Sequence, residues 1–510
     1  LGVQGKFALI GDEIARALGV PDHRFDVRRV EHHTAHLASS FLVSPFDEAA
    51  LFSIDGLGDF ASAMWGVGRG SRIEPWGVVS FPHSLGIYYT ALTQYLGFER
   101  YGDEYKVMAL ASYGEPEMLD EFRRILIAPD GGRMDFELAP DYFVHHCGGG
   151  DMTWGEGEPR LGRIFSDFLP QRLGPARDSA APIDKRHCAI AASLQRRLEE
   201  VVLDRLRTLQ QHTGLKRLCM AGGVAYNCVA NGKILDQTGF EQVYIQAAAG
   251  DAGLAIGAAM YAWHKETLRA RDFTMEHAYW GQEYSNSEIA ATLEDGRGEI
   301  ERQGGVWRQI EDDVELLRDT ARAIASGKVV GWFQGRMEWG PRALGNRSIL
   351  ADPRRPEMRE VLNAKIKRRE MFRPFAPSVL EEAAGEYFTQ SHPSPFMLMA
   401  YGVRPEKRHR IPATTHVDGT GRLQTVSERQ NPRYYQLIRE FGRQSGVPVV
   451  LNTSFNENEP VVMTPRQALS CFLRTQMDML VIGNHALFRK DWSPSTNGSD
   501  GLAGGERLWR

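Results

Sequence analysis

The stretch EHHTAHLASSF (31–41) sets His32 and His36 four residues apart. On a helix that spacing puts both imidazoles on one face, where two ring nitrogens can grip a metal ion. A zinc-protease helix needs a glutamate between the two histidines as general base, and none is there, so proteolysis is a poor reading. Two carboxylates could complete a metal set. Asp55 ends the apolar run AALFSID, and Asp251 sits in the turn GDAG. Each follows a strand-like run and precedes glycine, a place where a side chain projects into a cleft while the backbone comes close to a ligand. Two histidines and two aspartates form a mixed N/O set that suits iron, manganese or zinc. The competing reading is that the aspartates only shape turns, and spacing alone leaves both open.

A second concentration of chemistry lies at RMEWGPRALGNR (336–347), three arginines in a segment broken by glycine and proline. Between residues 336 and 373 there are 11 basic and five acidic residues, in a chain whose formal net charge is −5. Nucleic acid would need such charge together with stacking aromatics and a basic surface, and neither accompanies it. Guanidinium forks match carboxylates and phosphates bidentately, so a pocket for a compact anion explains Arg342 better. A solvated helical face remains open for DPRRPEMREVLNAKIKRRE (352–370) but not for 336–347. HVDGTGRLQTV (416–426) adds Arg422 in an expected glycine turn, and LNTSFNENEP (451–460) adds Asn452, Thr453 and Ser454 at an expected strand end. Hydroxyls and amides there suit a small polar group.

The elements that must hold these groups alternate between strand-like and helical patterns, which predicts an α/β protein. AALFSID is a buried strand, and residues 187–212 carry apolar positions at helical spacing that stop at Gly214. KRLCMAGGV and QVYIQAAAGDAGLAIGAA each read as strand, glycine turn and helix. The turns DGLGD, AGG and GDAG could cradle phosphate, although none is a P-loop or a GxGxxG. Several such turns in one domain are what an actin-like, split-domain ATPase fold uses; ordinary α/β turns are the alternative. Further on, residues 314–327, 328–335 and 447–455 predict a helix and two strands, with a domain boundary near 300 to 315. The tail 493–506 is Gly/Ser-rich, and disorder is expected there.

The 510 residues are 42% hydrophobic, enough for more than one core. No apolar run reaches the roughly 18 residues that span a bilayer. LGVQGKFALIGDE lacks the basic region and cleavage site of a signal peptide. Five cysteines without a CxxC pair argue against a disulfide framework and for a reducing cytoplasm.

Read together, HHTAH, DGLGD, DEYKVMALASYG (103–114), AGGVAYNCVANGK (221–233), GDAGLAIGAA, GRMEWGPRALGNRSILADPR (335–354), KRREMFRPFAPSVL (367–380), HVDGTGRLQTV and LNTSFNENEP resemble the O-carbamoyltransferases that tailor antibiotics and nodulation factors. They cover most of residues 30 to 480 in the family's order. The resemblance implies an N-terminal actin-like, ribonuclease-H-like ATPase domain (1–305) and a C-terminal YrdC-like twisted α/β domain (306–492) that makes carbamoyl-adenylate. It implies that carbamoyl phosphate and ATP give carbamoyl-AMP, whose carbamoyl group passes to the hydroxyl of a small molecule. Carried over by position, His32, His36, Asp55 and Asp251 would hold a divalent metal of the iron type. Lys106, Gly222, Gly223, Asn227 and Asn452 would bind the nucleotide, which brings Mg²⁺ with it. Arg342, Lys367, Arg422 and Ser454 would carry the carbamoyl-phosphate and adenylate chemistry.

One departure stands out. The family's opening GxxHDxS-type loop has no counterpart before residue 30, so the first strand pair, and with it a candidate general base, is expected to be missing. Two alternatives follow: a tRNA threonylcarbamoyl-type enzyme, or a nucleotide-binding module without catalysis. The expected partners are small molecules, with no nucleic acid and no membrane, around a monomer or homodimer. The acceptor is not legible in the sequence.

Overall fold

A computed structural model describes residues 10–20, 27–129, 131–148, 152–155 and 158–489. The expected disordered tail (493–510), like the chain's first nine residues, lies outside them.

The described chain is mixed α/β, built on two main sheets. In the first, β1 (Glu48–Gly58), β2 (Ala61–Arg69) and β3 (Arg72–Ser80) form an antiparallel meander; β4 (Arg217–Ala221) and β5 (Gln242–Ile245) then add to β1 in parallel, giving the order β3-β2-β1-β4-β5. That meander-plus-parallel-pair order is a ribonuclease-H-like layout. β1 is buried from Ala49 through Ile54 because a helix covers each face, which is why its sequence reads as one apolar run. Helix α1 (His32–Phe41) is one cover; the side chain of Glu31 caps it by accepting from the N–H groups of His33 and Thr34. The long helix α2 (Lys185–Thr213) is capped by Asp184 and ends at Gly214 in the left-handed conformation, as the sequence predicts.

The second sheet has nine strands: β6 (Gly305–Gln309), β7 (Val330–Phe333), β8 (Arg347–Ala351), β9 (Ala376–Leu380), β10 (Met399–Gly402), β11 (Thr420–Val426), β12 (Val449–Ser454), β13 (Met479–Ile482) and β14 (His485–Arg489). Their order is β6-β14-β13-β7-β8-β12-β9-β11-β10, with β7–β13 and β9–β11 parallel and the other pairs antiparallel. Arg422 lies within β11, not in the turn that its flanking glycines suggest, because that strand pairs on both edges. Residues 352–370 are not a plain solvated helix either. A short helical turn (Met358–Val361) passes into a π-turn (Leu362–Ile366) that buries Met358, Leu362 and Ile366.

One apolar cluster joins the sheets: Phe52 and Ile54 of the first belong with Val379, Tyr401, Leu423 and Val449 of the second. Asn231 adds a bond across the seam, donating to the Leu398 carbonyl at 2.9 Å. Among the described residues no helix is long and apolar enough to cross a membrane.

Candidate active site

Three elements bring the histidines and aspartates together. Helix α1 presents His32 and His36 on one face, β1 carries Asp55 where its pairing becomes irregular after Ile54, and the turn after β5 supplies Asp251. The ligand atoms of all four lie within 4.8 Å of one another. His36 Nε2 stands 2.8 Å from Asp55 Oδ2 and 3.1 Å from His32 Nε2, which is itself 3.2 Å from the same oxygen. Asp251 Oδ1 lies 3.7 Å from His32 Nε2 and 3.8 Å from His36 Nε2. Metal bonds of about 2.1 Å put neighbouring donors about 3 Å apart, so these separations fit a shared cation. Two imidazole nitrogens converging on each other and on one carboxylate oxygen form a donor set that a divalent ion satisfies.

The electrostatics point the same way. Burial pushes Asp55 up, yet the hydrogen bonds from His32 and His36 and from the Gly56 N–H hold it far below the usual carboxylate range. Burial pushes His32 down, and the hydrogen bond and charge of Asp55 outweigh it and hold the imidazole above its ordinary value. Asp251 is raised by its own burial and by the charge of Asp55. The Asp251 side chain is 70% exposed while that of His36 is fully buried, so the cluster opens outward at Asp251. His33 takes no part: burial and its two histidine neighbours push it down to about 4, and its Nδ1 meets Ser53 Oγ at 2.8 Å. Gly222 permits the tight approach behind Asp55. Its φ is +95°, and a Cβ there would sit 2.0 Å from the Ile54 carbonyl oxygen. The next N–H, of Gly223, donates to Asp55 Oδ1 at 3.0 Å.

The basic stretch sorts into three roles. Arg336 is exposed at the surface, 3.7 Å from Glu283. Arg347 is buried and structural: its guanidinium lies 3.6 Å from the centroid of Phe333 and donates to the carbonyls of Gln334, Gly335, Asn346 and Gln282. Arg342 does neither: its guanidinium lies near those of Arg373 and Arg422. Glu338 fixes that geometry, because one of its carboxylate oxygens accepts from the N–H groups of Leu344 (2.8 Å), Asn346 (2.7 Å) and Arg347 (3.1 Å). Arg342 and Arg422 have buried Nε atoms without a hydrogen-bond partner among the described residues. Burial pushes Arg422 down to about 9, and Arg342 and Arg373 push it the same way; Arg369 is held at about 9 by burial, then by Arg373 and Arg422. At about 9, Arg369 and Arg422 remain charged at neutral pH. Arg342, Arg369 and Arg422 lie among like charges, and the unpartnered Nε atoms of Arg342 and Arg422 suit an anion.

Lys367, from the same constellation, is 1% exposed. Its ammonium donates to the carbonyl and hydroxyl of Ser454 and to the carbonyl and side-chain oxygen of Asn456. Three protons are thereby spent on protein acceptors, and burial, with Arg369 and Arg373, drives its pKa well below the ordinary lysine value.

Residues 20–260 match the family model described as carbamoyltransferase N-terminus, and residues 321–489 match the carbamoyltransferase C-terminus. An uncharacterized protein of Synechocystis sp., sll1178, is 43% identical over 90% of this chain and 75% of its own length. Nodulation protein NolO of Bradyrhizobium diazoefficiens is 40% identical over 91% of this chain and 80% of its own. The chain belongs to the carbamoyltransferase family. A third relative, nodulation protein NolNO of Sinorhizobium fredii, is 40% identical, and the chain covers 64% of it. Among solved structures, HypF of T. kodakarensis aligns at a TM-score of 0.26 and 17% identity, over 50% of this chain and 38% of that one, a likeness too slight to bear on function.

Within this carbamoyltransferase the remaining expected residues fall in different places. Asn227 caps the turn Cys228–Asn231 and exchanges two hydrogen bonds with Gln195, at 3.0 and 2.9 Å. Asn452 is 1% exposed, and its amide donates to the Ala343 carbonyl, Ser378 Oγ and Gln424 Oε1 inside the sheet. The Asn227 amide and the Asn452 Nδ2 are spent on protein partners, whereas Asn452 Oδ1 is buried without one among the described residues. Lys106 is paired with Asp103 at 2.9 Å and with Glu370, from the other half of the chain, at 3.3 Å. Ser454 Oγ donates to Asn456 Oδ1 at 2.7 Å, beside Lys367. Reading the sequence by motif passes over Arg369, Arg373 and Glu338. The two arginines stand two and six residues after Lys367 in KRREMFR, and that density of charge was their signal. Glu338 had none, since its partners are backbone groups.

Proposed function

We propose that this carbamoyltransferase is ATP-dependent and acts on oxygen: carbamoyl-AMP forms from carbamoyl phosphate and ATP, and its carbamoyl group passes to a hydroxyl of a small, natural-product-like acceptor. The observation that carries the reading is the pair Arg342 and Arg422, half-buried, close enough to repel, and with buried Nε atoms that have no hydrogen-bond partner among the described residues. Guanidiniums in that condition favour a compact dianion. The steps balance as follows. Water opens carbamoyl phosphate to carbamate and phosphate; a carbamate oxygen attacks the α-phosphorus of ATP and pyrophosphate leaves. The acceptor hydroxyl then attacks the carbamoyl carbon, gives up its proton, and AMP departs.

In this scheme Arg342 and Arg422, backed by Arg369 and Arg373, neutralise the donor's phosphate and the charge that builds on the departing group. Lys367 holds the Ser454–Asn456 turn in place at the pocket's edge. Residues 1–305 would serve the nucleotide and transfer chemistry, and residues 306–492 the adenylation. His32, His36, Asp55 and Asp251 would hold a divalent ion of the iron type, which when bound supplies fixed positive charge toward a nucleotide phosphate. Carbamoyl-AMP hydrolyses, so transfer calls for a path that excludes water. We place the enzyme in the cytoplasm, where its cysteines stay reduced, as a monomer or homodimer.

The test is pyrophosphate release from ATP with no acceptor present. Release that requires carbamoyl phosphate is the expected result; well-folded, metal-loaded protein that releases none would overturn the reading.

A further inference from the structure

The segment that carries Arg369 and Arg373 leaves regular backbone twice within a few residues. The N–H of Lys367 donates to the Leu362 carbonyl, five residues back, at 2.8 Å, and so closes a π-turn, a widening frequent at functional sites. Arg368 then takes a φ of +42°, the left-handed region that strains a bulky residue. Its own side chain is exposed, 3.1 Å from Glu457. The neighbours on either side, Lys367 and Arg369, both turn back to bond within the protein.

One buried side chain holds this shape. Asn363 is 0% exposed. Its Oδ1 accepts from Arg369 Nε at 2.8 Å, its carbonyl accepts from the Arg369 N–H at 3.1 Å, and its Nδ2 donates to the Arg373 carbonyl at 3.2 Å. The amide supplies an acceptor and a donor at once; aspartate of the same size lacks the donor, and leucine lacks both. Asn363 therefore ties down Arg369 by main chain and side chain and closes the loop from 369 to 373. Anchoring through Nε leaves the two terminal nitrogens of Arg369, which can fork onto an oxyanion, outside that bond.

The place so fixed is the end of the second sheet that holds Arg422. The Arg369 guanidinium lies 4.7 Å from the centroid of Phe375, which leads into β9. β9 sets Ala376 opposite Asn452 of β12 and Ser378 beside Gln424 of the parallel β11. That register brings Phe375, Arg422 and Ser454 to one end of three neighbouring strands. At the other end of the loop, the Arg373 guanidinium lies 4.5 Å from the centroid of Tyr105, in the helix Glu104–Leu110, and 3.5 Å from Glu370.

We propose that Asn363 is a positioning residue of the donor site: it holds the Arg369 guanidinium beside Arg422, where the two meet the phosphate of carbamoyl phosphate. The role rests on the adenylation reading above.

The test is the KM for carbamoyl phosphate in the pyrophosphate assay, on the full, metal-loaded chain, for Asn363→Ala, Arg369→Ala and the double variant. A change that only loosens the fold reduces the active fraction, and so kcat, with KM unchanged. Asn363→Ala and Arg369→Ala should each raise KM about tenfold or more. The double variant should match Arg369→Ala within about twofold, because a residue that acts through another adds nothing once that one is gone. An unchanged KM in Asn363→Ala, or penalties that multiply in the double variant, would overturn the role. If Asn363→Ala does not fold, Asn363→Asp replaces it: the oxygen at Arg369 is kept, a negative charge is placed beside that guanidinium, and KM should rise about tenfold at an unchanged melting temperature. A wild-type KM in that variant would equally overturn the role. Inorganic phosphate titrated into the same proteins and followed by ³¹P NMR separates this inference from the reading beneath it. Wild type that binds phosphate about tenfold more tightly than the variants, yet releases no pyrophosphate, removes the adenylation reading and leaves the positioning of the anion site standing. Phosphate bound equally by all of them, or by none, removes the positioning role.

Discussion

Arg422 and Lys367 lie in one constellation but differ in what their charge meets. The Arg422 guanidinium has no protein acceptor among the described residues and sits among like charges, so its removal breaks no bond within the fold. Arg422→Ala should lower carbamoyl-phosphate-dependent pyrophosphate release by about a hundredfold or more, the scale of losing one preorganised donor, with a melting temperature unchanged or raised. Lys367→Ala strands the carbonyls of Ser454 and Asn456, each at a cost of about 1–3 kcal/mol, so activity and melting temperature should fall together. If calorimetry shows Arg422→Ala melting as early as Lys367→Ala, the guanidinium is structural and the pocket assignment fails. The metal cluster makes an equally local prediction. His36 touches both His32 and Asp55, so His36→Ala should cut bound iron, manganese or zinc about tenfold or more by elemental analysis after loading. Metal content equal to wild type would mean that the histidines only pack.

Elements decide where such side chains point, and here sequence reading succeeds and fails for definable reasons. HHTAH was legible because a four-residue spacing maps onto one helix face whatever surrounds it. Asp55 and Asp251 were legible because each follows an apolar, strand-like run and stands by glycine. Arg422 was misplaced in a turn because Gly419 and Gly421 outweigh, in sequence, a strand pairing that only the folded sheet supplies. The structural roles of Arg347, Asn227 and Asn452 were hidden for the same reason: their partners are carbonyls and amides distant in sequence. Glu338 shows how much rests on such contacts. Its single oxygen holds three N–H groups of the loop that aims Arg342, so Glu338→Ala should cost about 3 kcal/mol or more in unfolding free energy and about tenfold in adenylation. Glu338→Gln keeps an acceptor oxygen and should recover most of both. An alanine variant with wild-type stability and rate would show that the loop needs no clamp.

At the scale of the whole molecule, the sequence suggests two units and the packing binds them. The resemblance divides the chain near residue 305, and the two sheets do fall on either side of that point. Their apolar interiors are nevertheless continuous, since Phe52 and Ile54 share a cluster with Val379, Leu423 and Val449. The chemistry demands such a seam. Lys106, Phe98 and Tyr113 of one half meet Glu370 and Phe372 of the other, and the segment that carries those two begins at Lys367, bonded to Ser454 and Asn456. In the proposed scheme, a donor site in one sheet and a metal cluster in the other can hand a labile carbamoyl group across only if the two stay in register. Separately stable domains would let the seam breathe and admit water, whereas a shared core penalises opening by exposing apolar surface, at about 25 cal/mol per Å². The full chain should therefore melt in one calorimetric transition, with calorimetric and van't Hoff enthalpies in agreement. Two resolved transitions, the earlier one leaving carbamoyl-phosphate-dependent pyrophosphate release intact on cooling, would mean that the halves are independent and that the seam forms only with ligands bound.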